Sequence, residues 1–112
     1  MSTRNRAARA RHLYEAFAAG DRSFVDETLT DDFTFFSPVD VGLDRAGYFE
    51  RCWPGSGGGQ TFEFVRLIES GEEVIVTYEM MKPDGTRGRN TEVLTFRGGR
   101  ICRAEVYFGW DL

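Results

Sequence analysis

The feature that most constrains this chain is a change of hydrophobic period near residue 61. Before it, apolar residues recur every three or four positions, which gathers them on one face of a helix. After it they alternate, which gives a strand one buried face. Within residues 5–19, Ala10, Leu13, Tyr14 and Phe17 form such a helical stripe, and Gly20 ends it. Asp21 stands at an N-cap position, and Phe24, Val25, Thr28 and Leu29 give a second short helix its apolar side. Phe33 to Ser37 reads as a strand stopped by Pro38, which has no amide hydrogen to offer a ladder. Asp44 caps a third helix that carries Phe49 and Trp53 on one face and is ended by Pro54.

Residues 55–59 are nearly all glycine. They lack the Lys-Ser/Thr pair of a phosphate-binding loop and follow a helix rather than a strand, so they read as a flexible connection. Strands are expected over 60–68, 73–82, 87–97 and 100–110, with Gly71, Pro83-Asp84-Gly85 and Gly98-Gly99 at the turns. Three helices followed by hairpin-connected strands make an α+β layout with helices covering one sheet face. At 112 residues, the span 1–112 holds one core and one domain.

Charge narrows the partners. Fourteen basic against eighteen acidic residues leave a net charge of −4, which disfavours a nucleic-acid backbone as partner. Arg4, Arg6, Arg9 and Arg11 precede the first acidic side chain of that helix, Glu15. They read as the solvated start of a helix, with an anion- or partner-binding arm as the alternative. Cys52, Cys102 and the single His12 do not make a zinc or disulfide pattern. No run is apolar enough for a membrane, and a cytoplasmic protein is the default expectation.

Three segments carry a resemblance: Tyr14-Glu15-Ala16-Phe17-Ala18-Ala19-Gly20-Asp21, then Leu29 through Pro38 with its acidic turn, strand and proline, then Thr95 through Ile101 with Glu105-Val106-Tyr107-Phe108-Gly109. In this order and spacing the chain resembles the nuclear transport factor 2-like superfamily, in particular its SnoaL-like and ketosteroid-isomerase-like members. The resemblance implies a cystatin-like, cone-shaped roll: three N-terminal helices on a strongly curved, mainly antiparallel sheet. It also implies a deep apolar pocket for a small molecule and homodimers through the outer sheet face. It does not fix a function, because that fold hosts isomerases, hydrolases, cyclases and plain binding proteins.

Laid on the isomerase pattern, Tyr14 takes the place of a phenolic hydrogen-bond donor and Glu92 that of a protonated carboxylic acid. Together such groups hold an oxyanion in an apolar cavity. Tyr14 also fits an ordinary core position on the helical stripe, and Glu92 an ordinary strand glutamate. Ser37 stands where those isomerases carry an aspartate base, and a hydroxyl without an activating partner does not abstract a carbon-bound proton. Asp40 and Asp44 are the loop acids that could replace it, or else a turn residue and a helix cap. Epoxide hydrolases of the superfamily suggest another pairing, Glu92 with Glu105, oriented by Arg103 or Asn90. Parity puts Arg103, Glu105 and Tyr107 on one strand face, either cavity wall or exposed surface. Phe35, Ser37, Trp53, Phe62 and Tyr78, with Tyr48, Phe49, Cys52, Phe64 and Met80, complete the expected lining, and Trp53 beside the glycine loop would form a mobile lip. No cofactor or metal is required. The residues leave open an enzyme of isomerase or hydrolase type acting on an apolar, carbonyl-bearing molecule, a non-catalytic binding or dimerising domain, and a protein-interaction domain.

Overall fold

The computed structural model describes residues 6–112; Arg4 of the basic arm and the expected helix start at residue 5 lie outside them. The chain runs α1 (Arg6–Ala19), α2 (Arg22–Thr28), β1 (Leu29–Phe36), β2 (Val41–Asp44), α3 (Arg45–Arg51), a 3-10 turn (Trp53–Gly55), β3 (Thr61–Ser70), β4 (Glu73–Met81), β5 (Arg87–Arg97) and β6 (Arg100–Asp111). The caps explain the helix starts. Asp21 accepts from the Phe24 amide at 3.3 Å and Asp44 from the Gly47 amide at 2.7 Å, each satisfying a free N–H of a first turn. The third helix is shorter than expected. It stops at Arg51, and Trp53 opens the 3-10 turn because Pro54 follows it.

The α+β class and the three helices are as expected, but the cone-shaped roll is not formed. The six strands lie in the linear order β2-β1-β6-β5-β4-β3, so the outer strands β2 and β3 do not pair and the sheet stays open rather than strongly curved. It is also mixed, because β1 and β6 run parallel while the other neighbours are antiparallel. Alternation in a sequence fixes which residues share a face, not how far the sheet bends. The unanticipated β2 is a four-residue strand pairing with β1, and so short an edge offers little ladder to another chain.

One sheet face is buried under the helices. Across it, Val74 lies opposite Leu94 and Leu94 opposite Ala104, while Val76 lies opposite Glu92 and Glu92 opposite Val106. Val25, Leu29, Phe33, Val74, Leu94, Phe96 and Ile101 are shut off from solvent and form the centre of the core. The helix arginines are folded into this packing: Arg11 lies 4.6 Å over the Phe64 ring, Arg22 4.1 Å over Phe49, and the Arg6 guanidinium donates to the Gly71 carbonyl at 2.7 Å. Their stems cover aromatic surface while their charges stay near water. Among the described residues no helix is long and apolar enough to cross a membrane.

Candidate active site

Between the helices and this sheet face lies a cavity of about 320 Å³. Its floor is a set of cross-strand rows: Tyr78, Asn90 and Phe108; then Glu92 and Val106; then Leu94 and Ala104. Leu13, Tyr14 and Phe17 of α1 and Tyr48 of α3 cover it, and Leu29, Phe33 and Phe35 of β1 close one side. Val39 and Phe108, both well exposed, mark the mouth.

Glu92 is the one acid set deep in this apolar space. The Tyr78 hydroxyl donates to its Oε2 at 2.7 Å, and Asn90 Nδ2 donates to the Tyr78 oxygen at 3.3 Å. The carboxyl is enclosed by protein on every side yet keeps part of its surface open to the cavity. Loss of hydration pushes its pKa up, and the donated hydrogen bonds only partly offset this. The field of Glu92, added to burial, raises the phenols of Tyr14, Tyr48 and Tyr78, so all three keep their protons. The three phenols therefore offer hydrogen bonds, and Glu92 joins them below its raised midpoint.

The two tyrosines nearest the ligand space differ. The Tyr14 hydroxyl is sealed from solvent and has no hydrogen-bond partner among the described residues, although it sits close enough to Glu92 to help hold that group's charge. The Tyr48 hydroxyl also lacks a partner among the described residues but is not sealed, so it is free to meet a ligand. Tyr14 instead meets Tyr78 at 5.2 Å and Phe62 at 5.6 Å between ring centres.

Ser37 lies in the lining, its Oγ accepting from the Val39 and Asp40 amides at 3.3 and 3.1 Å. That turn shapes the mouth and leaves the hydroxyl no basic partner. Asp40 lines the cavity as well, with one oxygen held by Arg51 Nε at 2.5 Å. Asp44 is spent on its helix cap. Cys52 lines the cavity with its thiol pushed up to about 11, chiefly by burial, so it is neutral and a poor nucleophile.

Of the residues singled out from sequence, Tyr14, Glu92, Asp40, Phe35, Ser37, Phe62 and Tyr78 come together around the cavity, and Glu105, Tyr107 and Trp53 do not. Val93 faces Glu105 across the strands while Glu92 faces Val106, so the sheet separates the two acids. Glu105 instead takes Arg103 at 2.7 Å on the outer face, where Tyr107 is exposed. No acid pair of Glu92 and Glu105 exists. Trp53 packs edge-on against Phe17 and Phe49, beside the cavity rather than in it. Sequence reading missed that Tyr78 is the partner of Glu92. The signal was available in the β4–β5 hairpin register, which puts Tyr78 opposite Asn90 and diagonal to Glu92. Among the described residues no three of His, Cys, Asp and Glu gather as a metal cluster would require.

A family model described as SnoaL-like domain matches residues 10–104. Solved structures of the same fold include an NTF2-like protein of unknown function from Cytophaga hutchinsonii (17% identity, 97% of this chain and 91% of that one, TM-score 0.74). Another is a protein provisionally named a ketosteroid isomerase from Kribbella flavida (19%, 96% and 79%, TM-score 0.81). A third is an M. tuberculosis LEH-like epoxide hydrolase (19%, 96% and 80%, TM-score 0.77). At these identities the likeness is one of fold. Among curated proteins none matches the chain in sequence.

Proposed function

The chain belongs to the SnoaL-like domain family of the NTF2-like superfamily, and on that premise we propose that its cavity binds a small, mostly apolar molecule through a carbonyl oxygen. The observation that carries this reading is Glu92: a carboxyl with a raised pKa, open to an apolar cavity, with the free Tyr48 hydroxyl on the same lining. A neutral acid and a phenol supply two hydrogen bonds to one oxygen, and these strengthen as that oxygen gains negative charge. At the density of an organic crystal, roughly 0.74, the cavity holds about 240 Å³ of atoms, which suits two or three fused rings.

In the catalytic form of this reading, Asp40 removes a proton from the carbon beside the carbonyl. The electron pair moves to the oxygen, Glu92 and Tyr48 hold the enolate, and the proton returns at the same or another carbon. A second, non-catalytic reading is favoured by Ser37, which is no base, and by the Arg51 contact that occupies one Asp40 oxygen. In either reading a second copy of the chain would cover the outer sheet face around exposed Tyr107, giving a homodimer to be checked by light scattering.

Titration with 2-acetylnaphthalene tests the proposal. Binding that weakens at least tenfold in Glu92→Leu supports it, and absent or Glu92-independent binding overturns it. Deuterium exchange at the acetyl carbon, followed by NMR and lost in Asp40→Asn, selects the enzyme. Binding without exchange selects the non-catalytic reading.

A further inference from the structure

The site contains a chain of hydrogen bonds whose direction is set from outside the cavity. It starts at Gly109, where β5 and β6 come unusually close: a Cβ on Gly109 would stand 2.1 Å from the Arg89 carbonyl oxygen. The register slips there, between Gly88 and Asn90. This close approach brings the Gly109 amide to Asn90 Oδ1 at 3.3 Å.

A backbone N–H can only donate, so Asn90 must present its oxygen to Gly109 and its NH2 to the other side. That NH2 meets the Tyr78 oxygen at 3.3 Å, and Tyr78 must accept it. The Tyr78 hydrogen is then directed to the remaining neighbour, Glu92 Oε2, at 2.7 Å. Oε2 accepts along this line, and because the carbonyl oxygen of a carboxylic acid is its stronger acceptor, the line favours the acidic proton on the other oxygen. The other oxygen, Oε1, has no partner among the described residues and is left to the cavity.

We propose that the Gly109 amide and the Asn90 side chain form a polarity-setting relay that, whenever Glu92 is protonated, keeps its proton on Oε1, facing the cavity, and that makes Asn90 a positioning residue of this site. The relay belongs to the free protein. Only its consequence rests on the ligand reading above: the floor presents a hydrogen at Oε1, so it fits an oxygen that accepts, such as a ketone, quinone or phenolate oxygen.

Neutron diffraction from crystals of the deuterated, ligand-free protein at acid pH tests the relay without any ligand. The expected map has deuterium on Glu92 Oε1, on the Tyr78 oxygen along the line to Oε2, and on the Asn90 nitrogen facing Tyr78. Deuterium on Oε2, or an Asn90 oxygen facing Tyr78, overturns it. Proton NMR supplies a second measurement. A downfield Tyr78 hydroxyl resonance, absent in Tyr78→Phe, should move upfield in Asn90→Ala because the donor that polarises it has gone. No movement in Asn90→Ala would show that Asn90 sets nothing. A valid relay with no binding of 2-acetylnaphthalene would leave the relay standing and remove only the ligand reading.

Discussion

Replacing Tyr78 by phenylalanine should destabilise the protein by an amount that grows with pH. The substitution keeps the ring, and with it the contacts to Tyr14 and Phe62, both at 5.2 Å between centres. What it removes is one hydroxyl whose oxygen lies 2.7 Å from Glu92 Oε2. A neutral hydrogen bond contributes about 0.5–1.5 kcal/mol and one to a charged group about 1.5–3 kcal/mol. Glu92 is neutral at low pH and ionised once the pH passes its raised midpoint. The loss should therefore be about 1 kcal/mol at a pH below that midpoint and about 2 kcal/mol above it. For a domain of this size each kcal/mol moves Tm by about 4 °C. Urea unfolding of both proteins at each pH measures it, and subtraction at equal pH cancels the other titrating groups. The thermodynamic cycle requires the Glu92 midpoint, followed by carbon-13 NMR, to move upward in the variant, since the Tyr78 bond lowers it. A loss equal at both pH values, or none, would refute the assignment of this bond to a titrating Glu92.

Tyr14→Phe should do the opposite near pH 4 and raise stability by about 1 kcal/mol, because its hydroxyl is buried without a partner; urea midpoints will show the sign. Glu92→Gln tests linkage. The ordinary carboxyl value is 4.5 and burial raises it in the folded chain, so above about pH 4.5 the unfolded chain loses this proton first and the native protein loses stability until the folded group also ionises. Glu92→Gln should gain on the parent protein across that window and keep the advantage gained above it, with a constant difference at either side, as read by thermal unfolding at stepped pH. Gly109→Ala would place a methyl on the Arg89 carbonyl. Pushing β5 from β6 should cost about 1–3 kcal/mol or more in urea unfolding and abolish the effect of Asn90→Ala on the Tyr78 resonance.

The elements were legible where one local rule decided them. Asp21 and Asp44 announced helix starts by their position before apolar runs, and the alternation after residue 61 announced four strands. The neighbours of β1 were not legible, because pairing of β1 with β6 depends on residues far apart and on the path of the intervening chain. The same limit applied to the site. Parity alone could not say which face of β6 looked inward, and the answer separates Glu105 and Tyr107 from Glu92. The hairpin register did contain the Tyr78–Glu92 diagonal, since β4 and β5 share a short turn. Tyr48 and Tyr14 were told apart only by packing, which decides whose hydroxyl is walled in.

The parallel pairing of β1 with β6 also sets an order of events in folding. Leu29 is partnered with Ile101, roughly seventy residues on, so closing that contact carries a large loop entropy and a high contact order. Helices and the β3–β4–β5–β6 meander can form from neighbours, but β1, which supplies Leu29, Phe33 and Phe35 to the cavity lining, must dock on the free edge of β6. Until it does, the receptacle lacks one side and the rings of β1 are bare, an aggregation hazard for a nascent chain. A ligand that recognises only the finished cavity would therefore act as a chaperone for this last step, drawing the equilibrium toward the native state in proportion to its own concentration.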